Sequence, residues 1–196
     1  MPHPAVFLDR DGVLVADTGL VTCASEFEIL PGVPSAMRKL KKAGFKLVVV
    51  TNQAVVARGM ISESELNKLH ARLEKMLVAA GAPAWDAVYF CPHHPQANLP
   101  EYRLVCECRK PQPGMIRRAI REHDLCAESS YLVGDRISDV MAGLRSGCKT
   151  VWLTTGRHEA APIESGHPGD APSGGEKADC VCENLGAAAD WIVSRL

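Results

Sequence analysis

No stretch of this sequence approaches the roughly 18 consecutive apolar residues that a membrane-spanning helix requires. It also lacks any block rich in Lys and Arg, and its 22 basic against 23 acidic residues leave a formal net charge of −1. A general electrostatic grip on nucleic acid or on an anionic membrane is therefore not expected. The N-terminus "MPHPAVFLDRDG" has no basic leader and only a short apolar stretch before Asp9, so no export signal is read there and a cytoplasmic location is expected. What is present is ordinary for a globular protein: 196 residues, 46% hydrophobic and 23% charged, enough for one well-packed domain over residues 1–196. The expected partner is a small molecule, and the expected state a monomer. Eight cysteines in a reducing compartment point to free thiols or metal ligands rather than disulfides, and their spacing has to decide.

Short apolar runs alternate with helical patterns. Residues 5–9, 46–52, 86–91, 130–135 and 149–154 read as strands buried on both faces. Residues 33–44, 62–81, 113–124 and 137–147 place apolar side chains near a 3.6-residue period. The alternation predicts an α/β fold with a doubly wound parallel sheet. Ser62 and Glu65 form a capping-box pattern, and Gly44, Gly81 and Gly147 sit where helices should end. Two stretches fall outside the frame: 92–113, and 157–179, which is rich in Gly, Pro, Ser and charge and is expected to be a flexible surface loop. A last strand, "CVCEN", and a helix from Leu185 close the chain.

In an open parallel sheet, ligands bind beyond the carboxyl ends of the strands. Three such ends carry polar chemistry here: Asp9 with Asp11, Thr51 with Asn52, and Gly134 with Asp135, Asp139 following one helical turn later. Carboxylates converging on one crevice repel unless a cation neutralises them, and hard oxygen ligands suit Mg²⁺ beside a phosphate. Asp139 is also placed to favour the positive end of the helix that follows.

"FLDRDGVL", "VVVTNQ", "CRKP" and "LVGDRISD", in this order, resemble the four motifs of the haloacid dehalogenase superfamily of phosphohydrolases over roughly residues 5 to 153. The resemblance implies that Asp9 attacks phosphorus to form an aspartyl phosphate. It implies that Asp11 protonates the leaving alcohol and then activates water. Thr51 and Lys110 would steady the phosphoryl oxygens, and the Asp9 and Asp135 carboxylates with the Asp11 carbonyl would hold Mg²⁺. A non-catalytic phospho-receiver module shares the strand-end aspartate, but lacks a proton manager such as Asp11.

"CPH" at 91–93 and "CEC" at 106–108 supply three thiolates and an imidazole, the composition of a closed Cys₃His zinc site with no position left for water. Such zinc would be structural, pinning the loop that delivers Arg109 and Lys110. The C-x-H pattern and the resemblance favour Cys91, His93, Cys106 and Cys108 as ligands, leaving His94 as loop. No aromatic and basic surface accompanies these cysteines, which argues against a nucleic-acid zinc finger. Cys23, Cys126, Cys148, Cys180 and Cys182 lack a second ligand set and are expected to be buried thiols.

Residues 12–45 and 53–109 leave no room for a large cap, so the resemblance is to a capless enzyme. A zinc loop ending in "CRKP" is similar to a branch holding the D-glycero-D-manno-heptose 1,7-bisphosphate 7-phosphatases and the histidinol-phosphatases. The twelve residues between His93 and Cys106, "CPHHP", and "ARG" at 57–59 resemble the heptose members, which serve nucleotide-heptose and lipopolysaccharide precursor synthesis. The resemblance implies sugar contacts from Asp17, Thr18, Gly19 and Leu20 and from Thr51, Asn52, Gln53 and Ala54, with Arg109 and Arg136 beside the phosphates. Histidinol phosphate would instead call for acidic groups around its amine. Val13, Ala54-Val55 and Arg136 depart from the family pattern, and the apolar changes are expected near the pocket.

Overall fold

The structure, a computed structural model, describes residues 2–155 and 177–196. The expected flexible loop lies outside the described residues over 157–176. Six strands, β1 (Ala5–Leu8), β2 (Lys46–Asn52), β3 (Ala87–Cys91), β4 (Tyr131–Gly134), β5 (Lys149–Leu153) and β6 (Cys180–Cys182), form one sheet in the order β3-β2-β1-β4-β5-β6. All pairings are parallel. The chain winds outward from β1 to β3, then returns to lay β4 against the free side of β1. The strand order therefore reverses between β1 and β4, and a crevice opens beyond their carboxyl ends.

Helices α1 (Val33–Lys42), α3 (Glu63–Ala79) and α6 (Leu185–Val193) share one core with Val6, Leu8, Leu47 and Val49. Helices α4 (Gly114–Glu122) and α5 (Ile137–Arg145) cover the other face, where Phe7, Val48, Val50 and Leu132 meet Met115, Ile116 and Ala142. Successive strand residues feed opposite cores, which is why these strands read as continuous apolar runs. The capping box forms as expected: Ser62 Oγ accepts from the Glu65 N–H at 3.2 Å and Glu65 Oε2 accepts from the Ser62 N–H at 2.7 Å. One short helix, α2 (Ala54–Ala57), was not anticipated; its four residues are too few for a period to show.

Two further expectations are corrected. Cys148 is buried, but Cys23 is exposed and Cys126, Cys180 and Cys182 are only partly covered. Cys23 precedes a 3-10 turn over Ala24–Glu26, and its N–H donates to Glu26, a surface cap rather than a core position. Val13 and Val55, expected near the pocket, are each 1% exposed and belong to the core shared with α1 and α3. No described helix is long and apolar enough to cross a membrane.

Helix α5 is set close on the sheet by Gly143, where an added Cβ would come within 2.5 Å of Thr150 Cγ2 and 3.1 Å of Leu132 Cβ. The same helix carries Asp139 in its first turn. Gly143→Ala is expected to lower stability by about 1–3 kcal/mol through overpacking and to shift Asp139. Urea unfolding followed by circular dichroism measures the first effect; an unchanged midpoint would show that α5 can lift without cost.

Candidate active site

Asp9 directly follows β1, its N–H bonded to Val133 O of β4 at 3.0 Å. Its carboxylate accepts at Oδ1 from the Arg10 N–H (2.7 Å) and from Lys110 Nζ (3.0 Å). Both donors take Oδ1, which leaves Oδ2 as the oxygen able to attack. Lys110 is buried, with Nζ also donating to Val50 O at 2.8 Å and paired to Asp139 Oδ1. Burial alone would lower its pKa, but the charges of Asp139 and Asp9 outweigh that and hold it above the ordinary lysine value. Its backbone is clamped by one side chain: Asn52 Oδ1 accepts from the Lys110 N–H and Asn52 Nδ2 donates to Lys110 O, each at 3.0 Å. The bond from Lys110 to Pro111 is cis.

Asp9, Asp135 and Asp139 converge so that one carboxylate oxygen from each lies within 4.8 Å of the others, and all three are buried. Gly12 makes room for Asp135. At φ +77° it adopts a conformation that side chains rarely tolerate, and a Cβ there would stand 2.1 Å from Asp135 Oδ2. Both Asp135 oxygens are buried without a hydrogen-bond partner among the described residues. Burial first, then the charges of Asp9 and Asp139, push Asp135 up to about 8. Burial likewise raises Asp139 to about 6, with Lys110 opposing it. An orphaned carboxylate among two others, only partly offset by Arg136 and Lys110, is a donor set suited to a hard divalent cation such as Mg²⁺. Asp139 joins this cluster while its Oδ2 also accepts from the Arg136 N–H at 3.1 Å, so it serves the helix start and the carboxylate group together.

The Asp11 side chain points elsewhere. Arg10 grips both its oxygens, Nε to Oδ1 at 2.9 Å and Nη2 to Oδ2 at 2.8 Å, and Gln53 Nε2 donates to Oδ2 at 3.0 Å and to Thr51 Oγ1 at 2.9 Å. Burial raises the Asp11 pKa, Arg10 partly opposing it, a shift in the direction that an acid working near neutral pH requires.

A 590 Å³ cavity opens onto these groups. Of the residues expected there, Asp9, Asp11, Asp17, Gly19, Leu20, Thr51, Asn52, Gln53, Ala54, Arg109, Lys110 and Arg136 line it; Thr18 does not and is exposed. Arg136 Nη2 is paired with Asp17 Oδ2 at 2.7 Å, and Arg109 Nη1 donates to His93 O at 3.1 Å. Arg58, His94, Ile137 and Ser138 also line the cavity without having been singled out. Arg58 lies in the "ARG" stretch, and His94 beside a proposed ligand, so a signal was present for those two.

The thiols of Cys91, Cys106 and Cys108 and Nδ1 of His93 form a second cluster. Cys108 Sγ stands 3.2 Å from Cys91 Sγ, 3.3 Å from Cys106 Sγ and 3.4 Å from His93 Nδ1, and Cys91 and Cys106 are 3.6 Å apart. These spacings approach the edges of a tetrahedron with Zn–S bonds of about 2.3 Å. The donor set fits zinc.

The chain matches the family model described as haloacid dehalogenase-like hydrolase over residues 5–147, and a second, described as HAD-hydrolase-like, over 107–188. It is 43% identical over 193 residues to a D-glycero-beta-D-manno-heptose-1,7-bisphosphate 7-phosphatase from Escherichia coli K12, covering 98% of this chain and 90% of that one. A protein of the same description from Yersinia pestis is 39% identical over 194 residues, 98% of this chain and 91% of the relative. Among solved structures, D,D-heptose 1,7-bisphosphate phosphatase from B. bronchiseptica, complexed with magnesium and phosphate, superposes with a TM-score of 0.79 at 31% identity over 98% of this chain and 99% of that one.

Because Asp135 holds its proton up to about pH 8, a cation that binds the ionised carboxylate must displace it. Titrating Mg²⁺ into metal-free protein at pH 7 is expected to release about one proton, seen by calorimetry in buffers of different ionisation enthalpy and vanishing well above pH 8. A carboxyl whose folded pKa is raised costs stability increasingly as pH climbs from its ordinary 3.8 toward 8. Asp135→Asn is therefore expected to raise the Tm of the metal-free protein, more at pH 8 than at pH 5, by about 2–4 °C per kcal/mol relieved. A pH-independent Tm difference would show that Asp135 is not protonated.

Proposed function

The chain belongs to the haloacid dehalogenase-like hydrolases, and on that footing we propose that it removes the 7-phosphate of D-glycero-β-D-manno-heptose 1,7-bisphosphate in nucleotide-heptose synthesis. The observation that carries this reading is the meeting, in one cavity, of Asp9, Asp11 and Lys110 with three arginines. A monophosphate needs one cationic site; a bisphosphate needs a second, and Arg58, Arg109 and Arg136 offer it.

In the first step Asp9 Oδ2 attacks phosphorus, the P–O bond to the sugar breaks, and Asp11 gives its proton to the departing oxygen. In the second, Asp11 takes a proton from water, the water oxygen bonds to phosphorus, and the Asp9–phosphorus bond breaks to release inorganic phosphate. Thr51 Oγ1 already accepts from Gln53, which turns its own hydrogen toward the phosphoryl oxygens. Lys110 supplies a fixed positive charge beside the nucleophile. We assign Mg²⁺ to Asp9, Asp135 and the Asp11 carbonyl, with Asp139 alongside; it would neutralise the phosphoryl charge and orient the group for in-line attack.

Zinc at Cys91, His93, Cys106 and Cys108 would fix the loop ending in Arg109 and Lys110. Free thiols throughout the chain are consistent with a cytoplasmic enzyme. Histidinol phosphate is the poorer fit, because Asp17, the carboxylate nearest in kind to what an amine would seek, is already paired with Arg136.

Phosphate release from the heptose bisphosphate and from histidinol phosphate, measured side by side with Mg²⁺ and with EDTA, tests the proposal. A strong preference for the bisphosphate, lost in EDTA and in Asp9→Asn, is expected; preference for histidinol phosphate would overturn the substrate while keeping the chemistry. Cys106→Ala is expected to lose bound zinc by metal analysis, with a lower Tm and about 10-fold or greater loss of activity from misplacement of Lys110. Full activity without zinc would remove the structural role.

A further inference from the structure

We infer that His70, a buried histidine of α3, is a positioning residue for Asp11 and acts through Arg10. It rests on the reading of Asp11 as the acid and base of the reaction. Arg10 is 1% exposed, an unusual fate for a guanidinium, and its three nitrogens are all engaged. Nε and Nη2 form the fork on Asp11, while Nη1 lies 3.3 Å from His70 Nε2 and the guanidinium packs over Phe27, 5.3 Å from the ring centroid. A guanidinium can only donate, so His70 Nε2 must carry the lone pair and Nδ1 the hydrogen. Burial pushes His70 down to about 3, with Arg10 adding to the effect, and so it stays a neutral acceptor.

The core does not explain a histidine here. The buried stripe of α3 is Leu66, Leu69, His70, Leu73 and Leu77, leucine at every place but one. His70 Nδ1 is buried with no hydrogen-bond partner among the described residues, a penalty that a leucine would not incur. What the imidazole supplies and a leucine cannot is the acceptor for Nη1. That contact fixes the guanidinium plane from behind, and the two-pronged fork transmits the plane to the Asp11 carboxylate. His70 does not line the cavity; its ring also packs on Phe90 of β3, 5.7 Å between centroids, but its hydrogen-bonded link toward the cavity runs through Arg10.

A misplaced proton donor hurts most where the leaving group needs a proton. The test compares kcat/KM on the heptose bisphosphate, whose leaving group is an alkoxide, with p-nitrophenyl phosphate, whose phenolate leaves unaided, for wild type, Asp11→Asn and variants at 70. His70→Leu and His70→Asn, the latter too short to reach Arg10, are expected to lose about 10–100-fold on the sugar phosphate and little on the aryl phosphate. His70→Gln, whose Oε1 can take the place of Nε2, should recover most of the loss, and the Asn–Gln pair carries the test if the leucine variant does not fold. Equal losses on both substrates, or no loss in His70→Asn, would overturn the inference while a leaving-group-dependent Asp11→Asn left the proposed function standing. An Asp11→Asn variant equally impaired on both would overturn the role of Asp11 and this inference with it.

Discussion

The repulsion among Asp9, Asp135 and Asp139 is the constraint around which the rest of this structure is arranged. Three buried carboxylates face one buried lysine, and the imbalance shows as raised pKa values and as two orphaned oxygens on Asp135. The fold brings them together because β1 and β4 are neighbours despite lying far apart in sequence, so the residues after each strand share one crevice. Two glycines let them approach: Gly12 against Asp135, and Gly134, where a Cβ would stand 2.2 Å from that of Asp139. Such an arrangement is costly to an empty protein and favourable to one that binds a divalent cation and a phosphoryl group, a common exchange of stability for function.

Lys110 is the counterweight, and its placement explains the loop that precedes it. A lysine delivered by a long irregular segment would wander by more than the ångström that catalysis tolerates. Here the segment is tied at both ends. At one, Cys91 of β3 and His93 meet Cys106 and Cys108; at the other, Asn52 of β2 makes with Lys110 the paired hydrogen bonds that a neighbouring strand would make. Asn52 thus lines the cavity while its amide is committed to the backbone of Lys110, so its side chain is a support more than a sugar contact.

The frame and the clustered carboxylates were legible in the sequence because both depend on local order. An apolar run buried on two faces reads as a parallel strand, and an aspartate at its end needs no knowledge of neighbours. The cysteine pairs were legible for the same reason. Arg10 and His70 were not: their contact joins β1 to the middle of α3 and depends on how that helix is rotated on the sheet, information that no local pattern carries. Val13 and Val55 failed differently. They lie beside motif residues in the chain, but Val13 sits in the turn after β1 and Val55 in α2, and both direct their side chains into the core, so nearness in sequence misjudged their nearness to the cavity.

Charge is graded along the cavity. Lys110 and Asp9 are buried, Asp11, Asp17, Arg109 and Arg136 are partly covered, and Arg58 is exposed. The covered arginines are already oriented, one by His93 O and the other by Asp17, so they can meet a phosphate without first losing side-chain freedom. A substrate with a phosphate at each end would satisfy both regions, and on the proposed mechanism the nucleophile lies at the deep end. On the proposed mechanism, selectivity for which phosphate is removed follows from position: the carboxylate in the arginine region, Asp17, is paired with Arg136, whereas Asp9 beside Lys110 receives both of its donors on Oδ1.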